Sequence, residues 1–141
     1  MEGMAVVLIT GADEEFGQET AHRLERAGHT VHRNDAMSAL AVDELDVLVN
    51  AAGLAPETFE AKVAGLARVL QACLPALERS AAPVVVNVSA PETLTRAAAT
   101  VVTAQYAKAF PRMRINAAER DAEIVLRLVR DGPTGGYFES A

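Results

Sequence analysis

The chemistry this chain could offer rests on acids and a few bases. Glu14, Glu15, Asp35, Glu92 and Glu119 could surround one edge of a sheet. Two carboxyls held close together have their pKa values driven apart, so one can act as an acid while the other acts as a base. Ordinary charged loop residues are the preferred reading of this set, with Asp13 or Glu14 capping the first helix. Glu92 and Arg96 stand four apart, the spacing of a simple helix ion pair. Lys62 falls in the longest helical pattern, where exposure is the ordinary expectation and contact with an anion or a substrate the alternative. Tyr106 offers a phenol. His22, His29 and His32 lack ligand spacing with a cysteine, so no metal site is expected. Cys73, the only cysteine, sits on an apolar helical face and reads as packing.

These side chains need a scaffold, and its centre is Met4-Ala-Val-Val-Leu-Ile-Thr-Gly-Ala-Asp-Glu-Glu-Phe-Gly17. Val6 to Ile9 is a nearly continuous apolar run, as in a parallel strand covered on both faces. Thr10-Gly11 breaks it, and a helix from Glu15 to Ala27 follows, stopped by Gly28. Strand, glycine turn and helix in this order place backbone N–H groups and a positive helix end where nucleotide phosphates can bind.

Alternation of the two patterns continues to the end of the chain. Strands are expected at Thr30 to His32, Asp46 to Asn50, Pro83 to Val88 and Arg114 to Asn116, with an edge strand at Tyr137-Phe138. Residues Ala36 to Leu45 read as a weak helix or loop. Thr58 to Arg79 is a helix with Phe59, Val63, Leu66, Leu70, Cys73, Leu74 and Leu77 along one stripe, and Pro75 is expected to bend it or end its regular part. Pro91 to Phe110 is a second long helix with Leu94, Ala98, Val101, Val102 and Tyr106 mostly inward, and Asp121 to Val129 is the last. Strands separated by helices predict an open α/β sheet with right-handed crossovers.

Composition bounds the function. At 141 residues the chain suits one well-buried domain, residues 1–141, and half of its residues are hydrophobic. A formal charge of -6 argues against a nucleic-acid surface, which needs clustered Lys and Arg. No run approaches the roughly 20 apolar residues of a membrane helix, and Met1-Glu-Gly-Met lacks the basic start of a secretory signal. The expected location is the cytoplasm, with neither nucleic acid nor membrane as a partner.

Four pieces in shared order now carry a resemblance: Thr10-Gly-Ala-Asp-Glu-Glu-Phe-Gly17, Asn50-Ala-Ala-Gly53, Asn87-Val-Ser-Ala90 and the tail from Gln105-Tyr-Ala-Lys through Asp131-Gly-Pro-Thr-Gly-Gly-Tyr-Phe138. The chain resembles a shortened, catalytically degenerate member of the short-chain dehydrogenase/reductase family. That resemblance implies a Rossmann-like, three-layer open parallel sheet reduced to about six strands. Counted back from Gln105-Tyr106, the family's catalytic tyrosine falls on Glu92 and its lysine on Arg96. The catalytic serine falls on Ala90, with Ser89 one residue earlier and on the other strand face, and the supporting helical asparagine falls on Lys62. All four places differ from the family, and the resemblance implies an ordinary structural place for Tyr106, in the core or at an interface.

The cofactor loop departs as well. Gly11 and Gly17 match the glycine pattern, and Asn50 and Gly53 match the later turn, so these four are the vestigial cofactor-binding residues. Glu15 stands where the middle glycine belongs, and its carboxylate would repel a pyrophosphate. Arg33 could approach an adenosine phosphate, although a solvated strand end is its ordinary reading. No cofactor is therefore expected, with NAD or NADP as the alternative.

The interval before Asp46 is too short for the family's usual helix, strand and helix, and Ala117-Ala-Glu-Arg-Asp121 replaces its substrate loop. The family pairs subunits through helices equivalent to 58–79 and 91–110, which predicts a homo-oligomer, with the last strand as a second interface. The leading expectation is a non-redox protein that self-associates or binds a partner and holds a small metabolite at the vestigial site. The alternative is a cofactor-independent acid-base enzyme, a cyclase, dehydratase or isomerase acting on a small carbonyl-containing metabolite. Glu92 would then be its acid or base, and Arg96 and Lys62 would hold an anionic oxygen. A weaker third reading keeps dehydrogenase activity, completed by a partner's residues.

Overall fold

The computed structural model describes residues 5–10, 15–33, 43–51, 58–89 and 93–140. Along them run β1 (Val6–Thr10), α1 (Glu15–Arg26), β2 (Thr30–Arg33), β3 (Val47–Asn50), α2 (Phe59–Glu78), β4 (Val84–Ser89), α3 (Thr93–Ala109), β5 (Arg114–Glu119), α4 (Ala122–Arg130) and β6 (Tyr137–Phe138). All the strands are parallel and form one six-stranded sheet in the order β2-β1-β3-β4-β5-β6. From β1 the chain steps outward to β2, then crosses back over β1 to β3. That reversal makes the carboxyl ends of β1 and β3 a topological switch point, where open α/β sheets form their crevice.

Strand alternation sorts the apolar residues into two layers. Leu8, Leu48, Val85, Ile115 and Ala117 face α2 and α3, while Val7, Ile9, Val49, Val86 and Ala118 face α1 and α4. The central strands are covered on both sides, which is why they read as unbroken apolar runs.

Local signals account for most boundaries. Gly28, with φ of 101°, ends the turn after α1 in a conformation that side-chain-bearing residues avoid. Thr58 caps α2 by accepting from Ala61 N at 3.1 Å. Asp121 caps α4 by accepting from Glu123 N at 2.9 Å and Ile124 N at 3.2 Å. Pro75 does not end α2: it lies in the last turn, and the helix continues to Glu78. Ser80 N then donates to the carbonyl of Leu77 at 3.0 Å and closes the end.

Helix α3 corrects one expectation. Thr95, Ala98, Ala99, Val102 and Thr103 form its buried stripe, whereas Leu94 and Val101 are 45% and 41% exposed. Those two residues are seven apart and share a stripe rotated away from the buried one, so an apolar type alone misplaced them. Most of the weak segment Ala36 to Leu45 lies outside the described residues, as do the proposed caps Asp13 and Glu14. Among the described residues no helix is long and apolar enough to cross a membrane.

Candidate functional site

At the carboxyl edge four buried polar side chains join β1, β3, β4 and α3. Asn50 Nδ2 donates to the Leu66 carbonyl at 3.0 Å and to Asn87 Oδ1 at 3.3 Å. Thr10 Oγ1 donates to Asn50 Oδ1 at 3.4 Å and accepts from Ala51 N at 3.1 Å. Asn87 Nδ2 donates to Thr103 Oγ1 at 3.0 Å. All four residues are at most 2% exposed. Buried amides need such partners, so this chain of bonds holds the strand ends in register and ties them to both helices above.

Lys62 stands at the same edge, in the first turns of α2. It is 3% exposed, which overturns the expectation of an exposed helix position. The reason was present in the sequence: Lys62, Leu66, Leu70, Cys73 and Leu77 form one i, i+4, i+8 stripe, and the charged residue occupies its first step.

Arg96 does not stand alone either. It pairs with Glu139 after β6, and its guanidinium lies 5.0 Å from the centre of the Tyr137 ring. Tyr137 and Ser89 share a hydroxyl-to-hydroxyl hydrogen bond of 2.8 Å. Glu119 accepts from both the backbone N and the hydroxyl of Ser140 at 2.6 Å. Those bonds, the side-chain one first, together with the charge of Arg96, hold the Glu119 carboxyl below its ordinary pKa. The residues after β5 are thus fastened to β4, β5 and α3. Nothing local in the sequence announced Ser89 and Tyr137, which are 48 residues apart.

Other predicted residues are distributed as follows. Gly17 is buried on α1, and Glu15 is exposed at that helix's start. Glu92, Ala90, Gly11, Gly53, Glu14 and Asp35 lie outside the described residues. Arg33 pairs with Glu25 at 2.6 Å across the end of β2. Tyr106 accepts from Gln71 Nε2 at 2.9 Å and stacks on Phe110, joining α2 to α3. Cys73 is fully buried, and desolvation pushes its thiol up to about 11, an unreactive state. Among the described residues no three His, Cys, Asp or Glu side chains gather to hold a metal ion.

A groove of about 440 Å³ lies between the amino ends of α1 and α4. Glu15, Glu19, Asp121 and Glu123 line it against Arg23 and Arg120. Four carboxylates against two guanidinium groups make an unfavourable field for a dinucleotide pyrophosphate at the start of α1. Glu19 and Arg23 of this set are paired at 2.7 Å, and residues 11–14 of the glycine turn lie outside the described residues.

A parallel, doubly covered sheet with its switch point between β1 and β3 defines a Rossmann-like α/β protein. Solved structures give that class a narrower fold. An oxidoreductase (short chain dehydrogenase/reductase) from Brucella ovis superposes with a TM-score of 0.79 at 17% identity, covering 97% of this chain and 100% of that one. A Brucella ovis oxidoreductase of the same family, in complex with a partially ordered NAD, gives 0.76 at 16% identity over 98% and 100%. Thermoplasma acidophilum aldohexose dehydrogenase gives 0.75 at 17% identity over 96% and 91%. No family model and no curated protein matches the sequence. This chain has the short-chain dehydrogenase/reductase fold, compressed into 141 residues.

Proposed function

We propose that this chain is a non-redox Rossmann-like protein that associates with itself across α2 and α3 and holds a small metabolite at the carboxyl edge. The observation that carries this reading is the commitment of Arg96 to Glu139 and Tyr137. A cation at the position of the family's lysine is used to fasten the chain's own tail, and the neighbouring Asn50 and Asn87 are spent on each other. The acidic groove beside Glu15 supports the absence of dinucleotide chemistry. Leu94 and Val101, exposed along one stripe of α3, support self-association.

Light scattering followed by titration calorimetry with NADH and NADPH tests both halves. An oligomer that Val101→Asp converts to monomer, with no heat from either dinucleotide, is the expected result. Binding near micromolar would overturn the non-redox reading.

A second reading, the cofactor-independent acid-base enzyme, is favoured by one pairing: the Ser89–Tyr137 hydroxyls lie at the same edge as buried Lys62. Glu92 is its proposed acid or base, with Lys62 and Arg96 about the anionic oxygen. Turnover of an identified substrate that survives Glu92→Gln unchanged would remove Glu92 from that role.

A further inference from the structure

The tail after α4 is fastened in two unequal parts. Its root, Pro133 to Gly136, is held by main-chain bonds to β5 and by the buried Asn116 side chain. Gly135 N donates to the Ile115 carbonyl at 2.7 Å, and Ala117 N donates to the Gly136 carbonyl at 2.8 Å. Asn116 donates to the Pro133 carbonyl at 2.8 Å and accepts from Gly136 N at 3.1 Å, while Thr134 Oγ1 accepts from Ile115 N at 3.0 Å. Opening the root would orphan polar groups of a strand whose centre is buried, which is the costly way to lose a hydrogen bond.

The tip, Tyr137 to Ser140, is held differently. Beyond the short pairing of Tyr137 and Phe138 with Ala117 and Ala118, its ties run through side chains. Arg96 meets Glu139 with both side chains nearly half exposed, and the bonds from Ser140 to Glu119 are exposed as well. An exposed ion pair shifts an equilibrium by no more than about fivefold. The part-buried tie is Tyr137 to Ser89. Tyr137 stands in register with Ala117, and its hydroxyl reaches past β5 to Ser89 at the carboxyl end of β4, with the Arg96 guanidinium against its ring. Ser89 is shut off from solvent in this arrangement. Gly136, the last root residue, has no side chain to restrict the backbone where the tip begins.

We propose that residues 137–140 are a lid over the carboxyl end of β4: the tip swings out at Gly136 while the root stays bonded, freeing Arg96 and uncovering Ser89. Such a motion is a local opening, well below global unfolding in free energy. The Arg96–Glu139 pair biases it toward closure, so it responds to salt, which screens exposed charges. As the way into the carboxyl-edge site the lid rests on the metabolite-holding reading given above. Its opening is read in the free chain without any metabolite, so either can fail while the other stands.

The test places a thiol under the lid with Ser89→Cys and follows its labelling in the native full chain. Labelling is expected to run ahead of that of Cys73 and to be independent of urea at low concentration, the mark of a local opening. Glu139→Gln or 1 M KCl should each speed it about two- to fivefold with the urea midpoint unchanged, and KCl should add little once Glu139→Gln is present. Because the cysteine itself weakens the tie to Tyr137, hydrogen exchange in the unaltered chain supplies a second measure. The Phe138 and Ser140 amides should exchange faster in KCl by a similar factor, while those of Gly135 and Ala117 do not change. Labelling that follows global unfolding together with Cys73, labelling that neither salt nor Glu139→Gln alters, or root and tip amides that accelerate together would each overturn the lid.

Discussion

Asn50 and Asn87 meet side chain to side chain between β3 and β4, Nδ2 to Oδ1 at 3.3 Å, with neither residue exposed to solvent. Each also holds a helix, Asn50 through the Leu66 carbonyl of α2 and Asn87 through Thr103 of α3. Replacing Asn87 with Ala would leave Thr103 Oγ1 without its donor and take one of the two acceptors from Asn50 Nδ2. A loss of about 2–3 kcal/mol is expected from orphaned groups and lost volume, read by urea unfolding. Thr103→Val, which orphans only one end, should cost about 1 kcal/mol. Equal and negligible effects from both would show that the network contributes nothing.

The fastening of the tail can be divided into its parts. Tyr137→Phe removes the partner of a fully buried Ser89 hydroxyl and should cost about 1–2 kcal/mol, with faster amide exchange in β6 and its neighbours. Glu139→Gln breaks an ion pair whose side chains are nearly half exposed, so a change under about 1 kcal/mol is expected. The reverse ranking would place the strength of the latch in the ion pair.

Stability should fall in mild acid through His29. Its folded pKa is lowered by burial, so the unfolded chain binds the proton more readily. The contribution is fully present above the unfolded value near 6.5 and disappears as pH falls through the lower folded value. Denaturant midpoints measured from about pH 7 to 5 should drop, and His29→Gln should flatten part of that slope. An unchanged slope in the variant assigns the acid sensitivity to other groups.

Cys73 should be silent to a thiol reagent in the native protein. A buried thiol with a pKa of about 11 carries almost no thiolate at pH 8. Labelling should therefore follow unfolding and accelerate with denaturant. Rapid stoichiometric labelling without denaturant would contradict the packing role.

Much of the architecture was legible because it is written in short periods. The apolar runs of β1, β3 and β4, the stripe of α2 and the glycine after α1 each depend on a few neighbouring residues. Lys62, four residues ahead of Leu66, belongs to the same buried stripe although its charge alone points outward. Leu94 and Val101 are the opposite case, apolar in type and outward in direction. Helical angle fixes which face a residue occupies, and side-chain type does not.

A parallel α/β sheet with a long amphipathic helix follows from the sequence, and counting along its motifs gives Lys62, Ala90, Glu92 and Arg96 as the positions where the resemblance implies other residues. Tertiary structure alone decided that Arg96 pairs with Glu139, that Ser89 meets Tyr137 and that Arg114 lines a groove with His29. Those partners lie far apart along the chain. Strand order brings them together, and that order follows from how whole layers bury their surface, which no local pattern encodes.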